Sequence, residues 1–196
     1  MFTPLRWNGL HKRFNSGKPF PHIVIKNALS ASQDETLRRA IERAPKKRMD
    51  TDLYSFWQSD DLKKSKDRVI AAFARSWSSI ETKDAIARIC GVKVPGPVDM
   101  AGFAYRAGDY LLPHDDRMTG RKIAYILYLT TSRKGEGGTL DLYGSDSASH
   151  PLKVKKSIIP CAGSLVLFRV STRSWHRVAE HLAERPRITI GGWFNG

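Results

Sequence analysis

Apolar positions along this chain follow two rhythms that change near residue 97. Between residues 65 and 90, Val69, Ile70, Phe73, Trp77 and Ile80 recur at helical spacing, and "ETKDAIARIC" continues as a second short helix stopped by Gly91. Phe73 and Trp77 therefore read as core packing. Further upstream, "KPFPHIVIKNALS" holds a short β-rich run, Ile23 to Ile25, and the helix in "SASQDETLRRAIERA" opens with Ser32 and Glu35 at capping-box spacing. Two prolines and two glycines in "GVKVPGPVD" then end helical structure.

Beyond Pro97 the pattern predicts eight short strands: 99–106, 109–113, 122–130, 139–143, 153–159, 164–170, 175–180 and 187–194. The predicted class is mostly β with flanking α, a double-stranded β-helix (jelly roll) supported on one outer face by the N-terminal helices. A length of 196 residues suits one domain, with 1–97 as strand and supporting helices and 98–196 as the jelly-roll core. The glycine-rich "KGEGGTLDLYG" reads as a hairpin turn, because a phosphate loop would need a following lysine and helix.

Composition narrows the class. Hydrophobic residues make up 41% of the chain, no run of ~18 apolar residues exists to span a bilayer, and the start "MFTPLRWNGLHKRF" lacks the apolar stretch of a secretory signal. A soluble, cytoplasmic protein is expected. Cys90 and Cys161 are too few for a disulfide scaffold, and apolar neighbours predict that both are buried. The formal net charge of +14 fits an anionic partner such as RNA, but the basic residues of "LRRAIERAPKKR" and "LKKSKDR" fit a solvated helix face equally well.

Candidate chemistry lies in "YLLPHDDRMTGRKIAYILYLT", where charge interrupts two strand-like runs. In an extended segment His114 and Asp116 share a face while Asp115 points away. A third donor is His176 in "STRSWHRVAE"; His11 and His22 precede the barrel, His150 abuts a proline and His181 lies past the strand. Two imidazoles and a carboxylate form the facial triad suited to non-haem Fe(II), with an open face for co-substrate and dioxygen. No fourth ligand is evident for a closed zinc site. Eleven residues after His176, Arg187 begins the last strand, and an antiparallel return would bring it into the same cavity. A buried guanidinium needs an anion, which a dicarboxylate co-substrate would supply. Thr189 shares its face.

The order H-x-D, distal histidine and arginine resembles that of the iron(II) and 2-oxoglutarate dependent dioxygenases. More narrowly, "DLYSFWQSDDLKK", "LLPHDDRMTGRKIAYILYLT", "GGTLDLYG" and "RITIGGWFNG" are similar to the catalytic domain of the eukaryotic prolyl hydroxylases that modify a small-subunit ribosomal protein. The resemblance implies His114, Asp116 and His176 as iron ligands and Arg187 as partner of the 2-oxoglutarate C5 carboxylate. It further implies Tyr128 and Tyr105 as pocket tyrosines, where Tyr125 and Tyr110 compete, and Thr189 as a hydroxyl beside Arg187. Fe(II), 2-oxoglutarate and O2 would be required, with ascorbate in support, and the partner would be a protein or peptide such as a ribosomal protein. Those eukaryotic relatives carry a second jelly roll after the "GWF" motif, whereas this chain stops at Gly196, so substrate recognition is expected to differ. Two rival readings are a hydroxylase of a free amino acid or small metabolite, and a non-catalytic, cupin-like jelly roll that binds RNA.

Overall fold

The computed structural model describes residues 9–196, so the first part of the segment read for a signal lies outside the described residues. Helix α1 (Leu10–Asn15), strand β1 (His22–Ile25) and helix α2 (Ala31–Arg43) lead into a hairpin of β2 (Lys46–Thr51) and β3 (Tyr54–Ser59). A 3-10 turn (Leu62–Lys64) and helices α3 (Arg68–Trp77) and α4 (Ile80–Cys90) follow. The remaining strands are β4 (Ala101–Tyr105), β5 (Tyr110–His114), β6 (Arg121–Tyr128), β7 (Leu140–Ser145), β8 (Pro151–Ile158), β9 (Leu165–Arg169), β10 (His176–Val178) and β11 (Arg187–Asn195). Among the described residues no helix is long and apolar enough to cross a membrane.

The strands run in the order β1-β9-β6-β11-β4-β3-β5-β10-β7-β8, with β2 paired to β3, and every pairing is antiparallel. This path curls back on itself. Its two ends meet where Lys156 of β8 donates to Nε2 of buried His22 on β1 at 2.9 Å, while the His22 Nδ1–H is held by the Phe20 carbonyl. The jelly roll expected from the sequence is thus formed, with all eight anticipated strands present.

Alternation along each strand separates two cores. On β6, Ile123, Tyr125 and Leu127 face the helices, where they join Ile41, Ile70, Trp77 and Ile89, while Ala124 and Tyr128 face the barrel interior with Leu142, Val166 and Phe168. Burying the helical stripe on this face is what anchors α2, α3 and α4, since short helices are marginal by propensity alone. The barrel-facing positions are left to line a cavity.

Several expectations are corrected. The N-cap of α2 is Ser30, whose hydroxyl accepts from the Gln33 N–H while the Gln33 side chain returns to the Ser30 N–H. Glu35, the other proposed capping-box residue, instead pairs with Arg38 and Arg39. Ile80 starts α4 and is exposed, because α3 ends at Trp77 rather than carrying its apolar stripe onward. Cys161 is exposed in the turn before β9, and only Cys90 is buried. The glycine-rich segment is not a hairpin turn: β6 and β7 lie apart in the strand order, and the loop between them is bridged to residues 180–182 through Gly137 and Gly138. The β2–β3 hairpin was not anticipated.

Candidate active site

At the end of β5 the chain brings His114 directly opposite His176 of β10, as Cα partners in the ladder. Asp116 lies two residues beyond His114, but not by continuing the strand: its φ of 63° is left-handed. That conformation, accessible to Asp at a modest cost, turns its carboxylate back between the imidazoles. The extended geometry expected for the H-x-D segment is corrected by this turn, although the convergence it was meant to produce is present. Asp116 Oδ1 lies 3.3 Å from His114 Nε2, and Asp116 Oδ2 lies 3.4 Å from His176 Nε2. One donor atom from each of the three residues falls within 4.8 Å of the others, so together they can hold one metal ion.

Both imidazoles are oriented from behind. His114 Nδ1 donates to the Leu112 carbonyl and His176 Nδ1 to the Ser174 carbonyl, each at 2.8 Å. A carbonyl only accepts, so each Nδ1 carries a proton and each Nε2 faces the centre, where it offers a lone pair to a metal whenever that nitrogen is unprotonated. Burial, with the charge of His114 nearby, brings His176 down to about 4 and keeps it neutral. Burial works to raise Asp116, yet the hydrogen bond from His114 and the positive charge that the two rings carry when protonated prevail and bring it to about 2. For His114, burial is outweighed by Asp116, and its pKa rises. Phe168 packs edge-on against His176, with centroids 4.6 Å apart.

The triad opens into a cavity of about 390 Å³ that Arg187, Thr189 and Tyr105 also line. Strand register explains their meeting. On β11, Arg187 lies opposite Tyr105 of β4, and Thr189 lies opposite Tyr128 of β6, so the two tyrosines flank the guanidinium from either side. Its carbon sits 4.9 Å from the Tyr105 ring centre and 5.1 Å from that of Tyr128. Burial raises the pKa of both phenols, so they remain hydroxyl donors. Of their rivals, Tyr125 also borders the cavity, but its hydroxyl is taken by the Asp99 carbonyl and its ring packs at a tilt against Trp77 and Phe194, while Tyr110 pairs with Ser55 in the β3–β5 ladder.

Arg187 is 2% exposed, and its Nε and Nη2 are buried without a hydrogen-bond partner, as is the Tyr128 hydroxyl. Asp109, the buried carboxylate whose charge reaches Tyr105, is already held by Arg48 at 2.6 Å and the Arg106 N–H at 2.8 Å. The expected antiparallel return from His176 is corrected: β10 pairs with β5 and β7, β11 with β4 and β6, and Arg187 reaches the cavity from the opposite wall.

Of the other histidines, His181 is buried and donates Nε2–H to the Arg185 carbonyl, His150 pairs with Asp146, and His11 contacts the Ile89 carbonyl. Sequence reasoning missed Trp193, which lines the cavity near Asp116, and Arg121, whose guanidinium stacks on that indole 3.3 Å from its centre. The i, i+2 parity of Arg187, Thr189 and Trp193 on β11 was the available signal for the indole. It also missed Ser174, for which the sequence offers no signal.

Residues 100–195 match the family model described as "2OG-Fe(II) oxygenase superfamily". Among curated proteins the chain is 41% identical over 182 residues to prolyl 3-hydroxylase OGFOD1 of Mus musculus, covering 91% of this chain and 33% of that protein. It is 31% identical over 199 residues to prolyl 3,4-dihydroxylase OGFOD1 of Ostreococcus tauri, covering 90% of this chain and 38% of that protein. The chain thus spans about a third of the length of these curated relatives. Among solved structures, a Pseudomonas putida prolyl-4-hydroxylase superposes with a TM-score of 0.73 at 18% identity, covering 95% of this chain and 98% of that one. A Trichoplax adhaerens prolyl hydroxylase in complex with a hypoxia inducible factor peptide fragment gives 0.71 at 18% identity, covering 96% and 89%. By family match, residues 100–195 form a 2OG-Fe(II) oxygenase domain, and the solved structures share the fold.

Proposed function

We propose that the chain is an Fe(II)- and 2-oxoglutarate-dependent hydroxylase of a prolyl residue in a protein, with His114, Asp116 and His176 holding the iron and Arg187 the far carboxylate of the co-substrate. The observation that carries this reading is a fully buried guanidinium, in the same cavity as a two-histidine, one-carboxylate cluster, with two of its nitrogens unpartnered. An unpaired buried cation is strongly unfavourable, and a dicarboxylate entering the cavity supplies the missing charge in the forked geometry guanidinium prefers. The donor set fits ferrous ion for the same kind of reason. Two neutral imidazoles and one carboxylate leave the remaining coordination positions free.

When bound there, the iron supplies dioxygen activation coupled to decarboxylation of 2-oxoglutarate, so that substrate C–H, 2-oxoglutarate and O2 become C–OH, succinate and CO2. The chain's own residues do the positioning. Leu112 and Ser174 carbonyls fix the imidazole protons away from the centre, Arg187 fixes one end of the co-substrate, and Tyr128 and Thr189 offer it hydroxyl groups. Tyr105 stacks on the guanidinium and limits its rotamers, while Phe168, Leu140 and Val178 exclude water from this end of the cavity.

The reading extends to a single catalytic unit over 1–196, cytoplasmic, with ascorbate supporting turnover. Its substrate is a protein such as a ribosomal protein, and its basic surface contacts RNA. Names of the relatives support the prolyl class, and the charge of +14 supports the polyanion.

The test is succinate formation by purified protein given Fe(II), ascorbate, 2-oxoglutarate and proline-containing peptides from ribosomal proteins, with mass spectrometry of the peptide. A gain of one oxygen on proline is expected, and His114→Ala should abolish it. Turnover that survives this substitution overturns the ligand assignment.

A further inference from the structure

The metal-binding residues sit on two arms of the chain, and the structure shows how those arms are tied together. Asp116 depends on a left-handed backbone that its own side chain does not secure, because both carboxylate oxygens face the imidazoles. The carbonyl groups on either side of its Cα are instead held by other residues. Ser174 is fully buried, and its Oγ lies 2.9 Å from the Asp115 carbonyl oxygen. The same hydroxyl lies 2.8 Å from the Ser171 carbonyl, which already accepts the Ser174 N–H, and it accepts the Ser171 N–H at 2.9 Å. Arg121 then donates Nη1–H to the Asp116 carbonyl at 3.3 Å, with its guanidinium braced flat on Trp193.

Ser174 also works in the other direction. Its own carbonyl receives the Nδ1 proton of His176. One buried residue thereby contacts the backbone of the Asp116 turn through its side chain and the imidazole of His176 through its backbone, across a sequence separation of 59 residues.

On the reading that these three residues hold a metal, we infer that Ser174 and Arg121 are positioning residues, which pin consecutive carbonyls around Asp116 and so couple the two ligand arms into one preorganised site. Neither side chain touches the metal. Each sets where a ligand stands, and outer partners of this kind change metal affinity by roughly 10–100-fold in metalloproteins.

The experiment measures Mn(II) binding to the full chain by calorimetry, together with the visible spectrum of the Co(II)-loaded protein and the thermal unfolding of the metal-free protein. Ser174→Ala is expected to raise the Mn(II) dissociation constant by about 10-fold or more and to alter the Co(II) bands. Ser59→Ala is the control. Ser59 is likewise buried, donates to the Asp60 carbonyl and accepts the Gly102 N–H, so it loses matching hydrogen bonds on the face away from the triad. It should shift unfolding while changing Mn(II) affinity by less than about twofold. Arg121→Gln, at a part-exposed position that does not threaten folding, should weaken Mn(II) by about 5-fold, with Arg121→Lys restoring part of the loss. Where Ser174→Ala fails to fold, the Arg121 pair decides. Wild-type affinity in both Ser174→Ala and Arg121→Gln, or equal loss in Ser174→Ala and Ser59→Ala, overturns the inference and leaves the site standing. Absence of Mn(II) binding by the wild-type chain, or its persistence in His114→Ala, overturns the site itself.

Discussion

Arg187 brings stability and binding into conflict. Two of its nitrogens are desolvated without a partner, which costs folding free energy that a bound carboxylate would return. Arg187→Met keeps the apolar stem between Tyr105 and Tyr128 and removes the charge. The ligand-free variant should therefore be more stable than wild type, by about 2 kcal/mol, or roughly 6 °C in Tm for a domain of this size. The same change should lower kcat/KM for 2-oxoglutarate by at least about 100-fold, equivalent to about 2.7 kcal/mol. Arg187→Lys retains a charge without the fork and should fall between the two in affinity. Thermal melts with and without 2-oxoglutarate check both halves. A destabilised Arg187→Met would mean that the guanidinium is satisfied within the protein, contrary to the reading that it waits for a co-substrate.

Elements here divide into those whose sequence carries their burial and those whose sequence does not. Strands β6, β9 and β11 were legible because their alternate faces meet two different cores, helices on one side and cavity on the other. Strand β2 was not, because "KKRMDT" runs along the sheet margin with four of its six residues exposed, so no apolar rhythm marks it. The His114, Asp116 and His176 cluster was legible as residue types in order. Its geometry was not, since a positive φ at Asp116 and a hydroxyl reaching from Ser174 leave no periodic trace. The start of α2 shows the limit of spacing rules: Ser30 and Ser32 both precede a Gln or Glu by three, and only tertiary placement selects Ser30. Chemical denaturation should accordingly show Ser30→Ala losing about 1 kcal/mol and Ser32→Ala less than about 0.5 kcal/mol. Toward its C-terminal end, β11 passes so close to Asp99 that a Cβ on Gly192 would lie 1.9 Å from its carbonyl oxygen. Backbone cannot yield as a flexible side chain can. Gly192→Ala should cost about 3 kcal/mol and separate Trp193 from the cavity wall, and a melt within about 1 °C of wild type would exclude that close approach.

At the scale of the whole molecule, charge and cavity make opposite demands on salt. A net charge of +14 spread over the surface attracts polyanions through a field that mobile ions screen within about 8 Å at physiological ionic strength. The Arg187 pocket is closed off by Tyr105 and Tyr128, so a carboxylate bound there is shielded from that screening. Two dependences should follow when the same preparation is titrated from about 50 to 200 mM salt. Binding of a labelled single-stranded oligoribonucleotide, followed by fluorescence anisotropy, should weaken log-linearly with a slope of about −0.7 for each phosphate neutralised. The KM for 2-oxoglutarate should change by less than about threefold, because its anchoring pair is desolvated rather than exposed. Oligoribonucleotide binding that is undetectable at the lowest salt would remove RNA from the proposed partners while leaving the oxygenase chemistry untouched. A 2-oxoglutarate KM that climbs as steeply as the RNA dissociation constant would place the co-substrate on the basic surface instead of against Arg187.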